Sequence, residues 1–287
     1  MPIGRISQHR SKSWHTLCDP VLAVPFMSTA WADGPKSLVP SVSLAALILA
    51  GGCGGNSPAS PSQLLTATIE TAHFSYHYTP GDSLQEVRQE AHHAWAVAQL
   101  GVVLPQKVIY NKYTSRAQMS EATGRGNTNA FAEPEIFTVH TPFSWENHET
   151  VHVYTALIGR PSDFFNEGIA VAFQTDPVAG DFESRFNGQQ VHEAVADYRK
   201  LNVVPPLDQI VETSGFRVIP DSTMSYRIAG SFMRFLIDRR GLERVKTFFR
   251  ISRAGDARSV IQQRFEAAFD QTLSAAEAEW IASLPPR

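Results

Sequence analysis

The stretch Trp145-Glu-Asn-His-Glu-Thr-Val-His152 decides how this chain is read. His148 and His152 stand four residues apart, and Glu149 directly follows the first. On an α-helix, positions i and i+4 lie one above the other on the same face. Two imidazoles placed that way can grip one metal ion. A carboxylate at i+1 lies beside such an ion, where it can take a proton as a general base. This is the H-E-x-x-H pattern of zinc sites.

The flanks favour a helix. Thr141 is a possible N-cap, with Pro142 at the first helical position, and Gly159 followed by Pro161 can end it. Val151, Val153, Tyr154, Ala156, Leu157 and Ile158 make the helix apolar on most sides. A helix of that composition is buried, and buried imidazoles and carboxylates need partners.

A catalytic zinc takes three protein ligands and keeps one open position. The next segment, Arg160-Pro-Ser-Asp-Phe-Phe-Asn-Glu-Gly-Ile-Ala-Val-Ala-Phe173, offers Ser162 as an N-cap and a helical pattern to about Gln174. Its Glu167 stands among apolar neighbours, where an unpaired carboxylate is rare. Two antiparallel helices joined at Gly159–Pro161 would bring Glu167 opposite His148 and His152. That gives an expected metal set of His148, His152 and Glu167, holding one Zn2+, with Glu149 as the base.

These residues carry a resemblance. "HETVH" followed by "FFNEGIAVAF" resembles the gluzincin zinc metallopeptidases, and among them the peptidase MA-like group. The match is firm over residues 140–175 and looser over 66–285, where "HFSYHYTPGDS" resembles a first strand and helix start and "MSYRIAGSF" a late helix. The resemblance implies a zinc-dependent peptidase acting on a peptide or protein substrate. It implies Tyr226 as a second catalytic group that stabilises the oxyanion, with a packing tyrosine the equal alternative and Arg227 a weaker candidate. It also implies that the extended run Ala130–His140 is a sheet edge for substrate; an internal strand fits the residues equally well. The chain departs from thermolysin-like enzymes at Val171, where those enzymes carry an aspartate that supports a ligand histidine.

Composition agrees with a globular protein that has room for a sizeable core. The chain has 287 residues, 43% apolar, and its net charge of −3 gives no reason to expect a nucleic-acid partner. Residues 38–50 form an apolar run too short to span a membrane and suited to a signal peptide. Small residues then lead to Cys53, which resembles a bacterial lipobox, although Ala50 stands where leucine is usual. The expectation is a leader over 1–52 with a possible true start at Met27, a lipidated Cys53, a tether over 53–65 and a metallopeptidase domain over 66–287. The protein is then a lipoprotein held at a membrane outside the cytoplasm, or else a secreted soluble protein. Cys18 is the only other cysteine; if it is discarded with the leader and Cys53 carries lipid, the mature domain has neither a free thiol nor a disulfide.

The expected fold class is α+β: a small N-terminal mixed sheet with helices, the motif helix, and a helical C-terminal half, as in thermolysin-like proteins. A strand is expected over residues 67–79, a helix from Ser83 to Gly101 with Leu84, Val87, Ala91, Trp95 and Ala98 buried, and helices near 183–200, 225–240, 242–252, 257–270 and 274–284. His92 and His93 are read as surface or packing residues, not ligands, and His140 as a packing residue. Two rival functions stay open: a zinc-binding lipoprotein without turnover that serves as an adaptor, and an exported binding protein with no metal.

Overall fold

The computed structural model describes residues 60–126 and 128–286. The leader, the candidate start at Met27, Cys53 and its lipid lie outside the described residues. The chain opens with α1 (Pro61–Leu64), β1 (Ala67–Glu70), β2 (Phe74–Tyr78), α2 (Glu86–Leu100), β3 (Val108–Lys112), α3 (Arg116–Thr123), β4 (Phe131–Glu133) and β5 (Thr138–Thr141). Two helices follow, α4 (Asn147–Thr155) and α5 (Asp163–Ala172). A short hairpin, β6 (Arg185–Phe186) and β7 (Gln189–Gln190), leads into α6 (Val191–Lys200), α7 (Leu207–Ile210), α8 (Thr213–Arg217), α9 (Ser222–Arg240), α10 (Leu242–Ile251), α11 (Arg258–Phe269) and α12 (Leu273–Ser283). The class is α+β with a small mixed sheet, as expected. No described helix is long and apolar enough to cross a membrane.

The five main strands form one sheet in the order β1-β2-β3-β5-β4. The β2–β3 and β3–β5 pairs are parallel, while β1–β2 and β4–β5 are antiparallel. Phe74, Tyr76, Tyr110 and Val139 bury one face of this sheet against α2 and α4. The strand expected over residues 67–79 is a hairpin. No glycine or proline marks its turn; Glu90 on α2 holds it, accepting from the Thr71 hydroxyl at 2.5 Å and the His73 amide at 2.9 Å. The run Ala130–His140 is likewise split. β5 is internal, and only β4 forms the outer edge.

α2 starts at Glu86, with Gln85 in the cap position, so the Ser83 capping box does not form. Its buried face also differs from the expected one. Gln89, His92, His93, Ala96 and Leu100 face inward, while Val87 is 78% exposed. The polar residues lie inside because distant groups satisfy them: His92 Nε2 lies 2.9 Å from the Phe173 carbonyl oxygen and His93 Nδ1 lies 3.0 Å from the Tyr154 hydroxyl. Of the two readings open for these histidines, surface or packing, the structure selects packing. The expected tether ends early, since residues 61–64 are helical and Leu65 is buried with Tyr113, Met119 and Phe131.

The helical half builds its core around α5 and α9. Gly168 and Gly230 explain how closely these helices approach. A Cβ on Gly168 would lie 2.7 Å from the Ala229 carbonyl oxygen, and one on Gly230 would lie 2.2 Å from a Val171 methyl. Phe164, Phe165, Phe232, Phe248, Phe265 and Trp280 fill the space behind this contact. The expected helix at 183–200 begins only at Val191, because the β6–β7 hairpin occupies the residues before it. The last helix is capped by Thr272, whose hydroxyl accepts from the Ala275 amide at 3.2 Å; the Ser274–Glu277 box is not used.

Candidate metal centre

The motif helix is shorter than its flanks suggest. Thr141 pairs with Lys112 inside the sheet, so it cannot cap a helix. The chain turns after it, and α4 begins at Asn147 with the Glu146 carboxylate accepting from the amides of His148 (2.9 Å) and Glu149 (3.4 Å). An acidic cap suits the positive end of a helix. At the other end Gly159 does not take a left-handed conformation. It lets the chain pass close to α10: a Cβ there would lie 2.0 Å from the Phe249 carbonyl oxygen.

α5 turns back alongside α4 and brings Glu167 to the two histidines. His148 Nε2 lies 3.1 Å from Glu167 Oε2, and His152 Nε2 lies 3.2 Å from the same oxygen. All three side chains are buried. Their ligand atoms lie within 4.8 Å of one another, so the group can hold a metal ion. Two observations fit a cation there. Both imidazoles aim the nitrogen remote from their backbone at one carboxylate oxygen. His148 Nδ1, on the far side of its ring, has no hydrogen-bond partner in the protein, so the polar contacts of that ring all fall to Nε2.

Two residues that sequence reasoning missed complete the cluster. Arg217, at the end of α8, donates to Glu167 Oε1 at 3.1 Å and to Asp163 Oδ2 at 2.6 Å. The guanidinium thereby occupies one carboxylate oxygen and leaves Oε2 to the histidines. Asn166 places its amide nitrogen 3.2 Å from His152 Nδ1. It stands where a side chain can orient that ring, a task the sequence could not assign once Val171 replaced the expected aspartate. Val171 instead packs against Gly230 in the core. Asn166 directly precedes Glu167, which was the available signal. Arg217 lies 50 residues from its carboxylate partner, and no pattern links them.

The charges respond to burial and to one another. Burial pushes the Glu149 carboxyl up to about 8; the His148 imidazole pulls against this, while the carboxylates of Glu146 and Glu167 add to it. The backbone amide of Ala132, on edge strand β4, faces the same carboxylate. Burial also opposes charge on Glu167, but His152 and His148 outweigh it and hold that carboxyl well below the ordinary range. The two glutamates are therefore set apart: one is held ionised, the other retains a proton to higher pH.

Tyr226, near the start of α9, lies in the same cleft. Its ring centroid is 5.8 Å from that of His148 and 5.1 Å from that of Phe186. Burial raises its phenol above the ordinary range, so it keeps its proton and can donate. Arg227 points elsewhere: it donates to the Phe186 carbonyl and the Tyr198 hydroxyl. His140 is a packing residue beside Phe131 and Tyr113, with Tyr113 Oη 2.9 Å from its Nδ1.

Two cavities adjoin the cluster. One, of about 380 Å³, is lined by Ala132, His152, Arg160 and Asn166; the other, of about 430 Å³, by Phe143, Glu146, His148 and Phe186. Both include Glu149, Arg217 and Tyr226. Comparison with known proteins adds no relative: no protein-family model matches the chain, and no curated protein matches it.

Proposed function

We propose that this protein is a zinc-dependent metallopeptidase of the gluzincin type, with a thermolysin-like arrangement of its two helices. The observation that carries the reading is the convergence of His148 Nε2, His152 Nε2 and Glu167 Oε2, with Glu149 adjacent and on the cleft. A tetrahedral zinc with bonds of about 2.0–2.1 Å sets its ligand atoms roughly 3.3–3.4 Å apart. The separations of 3.1 and 3.2 Å are within a few tenths of that figure. Zinc bound there would supply Lewis acidity toward a carbonyl and activation of water.

The remaining chemistry falls to the chain's own groups. Glu149 lines both cavities and is not among the three convergent residues, so it is free to accept a proton at its carboxylate and deliver it to a leaving nitrogen. Its raised pKa suits both halves of that task near neutral pH. Tyr226 lines the cleft with its hydroxyl beside Arg217, and it can donate to a developing oxyanion. Edge strand β4 borders the same space through Ala132 and can pair with an extended peptide.

The test is zinc quantification joined to peptide-library cleavage, with wild type against Glu149→Gln. A peptidase binds about one zinc in both forms and cuts only as wild type. Bound zinc with no cleavage by wild type would favour the adaptor reading. Absence of zinc from both would overturn the metal centre.

A further inference from the structure

We propose that the cleft accepts a polypeptide chain continuing in both directions, so that the protein is an endopeptidase that needs neither a free amino terminus nor a free carboxyl terminus. This rests on the metallopeptidase reading and specifies its substrate class.

The two cavities carry the argument. They are displaced in opposite directions along α4. One reaches the start of that helix at Glu146 and His148, bounded by Phe143 and Phe186. The other reaches His152 and passes on to Arg160 and Pro161 beyond the helix end. Both contain Glu149, so the candidate base stands between two open spaces instead of at the blind end of one. Glu146 to His152 spans about 9 Å at ~1.5 Å per residue, enough for roughly three residues of extended chain. The loops at Phe143 and Arg160 lengthen the trough at each end. Thr128 and Ala130, just before edge strand β4, border both cavities, so one wall is continuous.

An exopeptidase must also hold a terminal charge. A free α-amino group needs an available carboxylate, and a free carboxylate needs an available cation. The charged residues of the two cavities are already engaged. Glu146 accepts from the amides of His148 and Glu149. Asp163 accepts from Arg217, and Glu167 is shared between Arg217 and the histidines. Arg160 is paired with Glu135. Glu149 is the candidate base. Arg217, the cation that lines both cavities, is paired with Asp163 and Glu167, so among the described residues that line the cleft each charged side chain other than Glu149 already has a partner.

The experiment uses a library of nine-residue peptides in two forms: acetylated and amidated at the ends, and with both ends free. The zinc-loaded protein is expected to cut both forms with kcat/KM values within about threefold, at bonds at least two residues from either end. A drop of more than tenfold on blocking one end, or release of single amino acids, overturns the proposal. Binding supplies a second readout. Hydrogen exchange on Glu149→Gln with the blocked library should protect backbone amides at both mouths, near Phe143–Ser144 and near Arg160–Asp163. Protection at one mouth alone also overturns it. Failure to cut either form, with zinc bound, defeats the peptidase reading itself and is distinguishable from cleavage that needs a free end.

Discussion

Glu167 offers the sharpest test of the centre, because its two oxygens have different partners. Oε2 faces both histidine Nε2 atoms at 3.1 and 3.2 Å, and Oε1 accepts from Arg217 at 3.1 Å. Glu167→Gln keeps the shape. Its amide nitrogen brings two hydrogens to two imidazole nitrogens, and its oxygen can still serve Arg217. The substitution therefore closes the site without a metal, and the metal-free protein should stay within about 1 kcal/mol of wild type. Metal affinity should collapse. Losing an outer partner of a ligand costs 10–100-fold, so losing the ligand itself should cost at least about 100-fold, or about 2.7 kcal/mol. At a free zinc concentration near 100 times the wild-type Kd, wild type gains about 2.7 kcal/mol of stability and the variant about 0.4 kcal/mol. Thermal unfolding with and without zinc reads this difference: a shift of roughly 5–10 °C for wild type against about 1 °C for the variant. Glu167→Ala is the contrast. It leaves the Nε2 atoms of two buried imidazoles without their carboxylate partner at about 1–3 kcal/mol each, so it should destabilise the protein even without metal. Equal zinc-induced shifts in wild type and Glu167→Gln would refute the assignment of Glu167 as a ligand.

Other substitutions separate the remaining roles. Glu149→Gln should keep its zinc and lose about 10²–10⁴-fold in kcat, measured with stoichiometry on the same sample. In the metal-free protein, Glu149 holds a proton that the unfolded chain releases, so wild type should lose stability relative to Glu149→Gln as pH rises from about 4.5 to about 8. That gap is bounded at about 5 kcal/mol, and urea unfolding that finds no gap at pH 8 would contradict the raised pKa of this carboxyl. Tyr226→Phe should lower kcat by about 10²–10³-fold with zinc binding unchanged; a full-rate variant would return Tyr226 to a packing role. Gly168→Ala should force α5 from α9, costing about 1–3 kcal/mol and weakening zinc binding through the neighbouring Glu167, as read by melting and chelator competition. Cys53→Ser should release the protein from membranes, and unchanged fractionation with no lipid on the N-terminal peptide would argue against the anchor.

The sequence by itself determined what is local. The i, i+4 spacing of His148 and His152 on an apolar helix fixed their common face, and the next helix carried Glu167 within a short turn of them. The long helices from Ser222 onward were legible because their apolar residues recur at helical spacing and glycines mark their breaks. Tertiary structure decided the rest. Thr141 looked like a cap but is a strand residue, because pairing with Lys112 involves a strand about 30 positions away. His92 and His93 could have been surface or core by sequence and are buried, because the Phe173 carbonyl at the end of α5 and the Tyr154 hydroxyl on α4 supply their partners. Arg217 reaches Glu167 only after α8 folds against α5. Hydrogen-bond partners drawn from distant segments leave no periodic trace in the chain, whereas two ligands on one helical turn do.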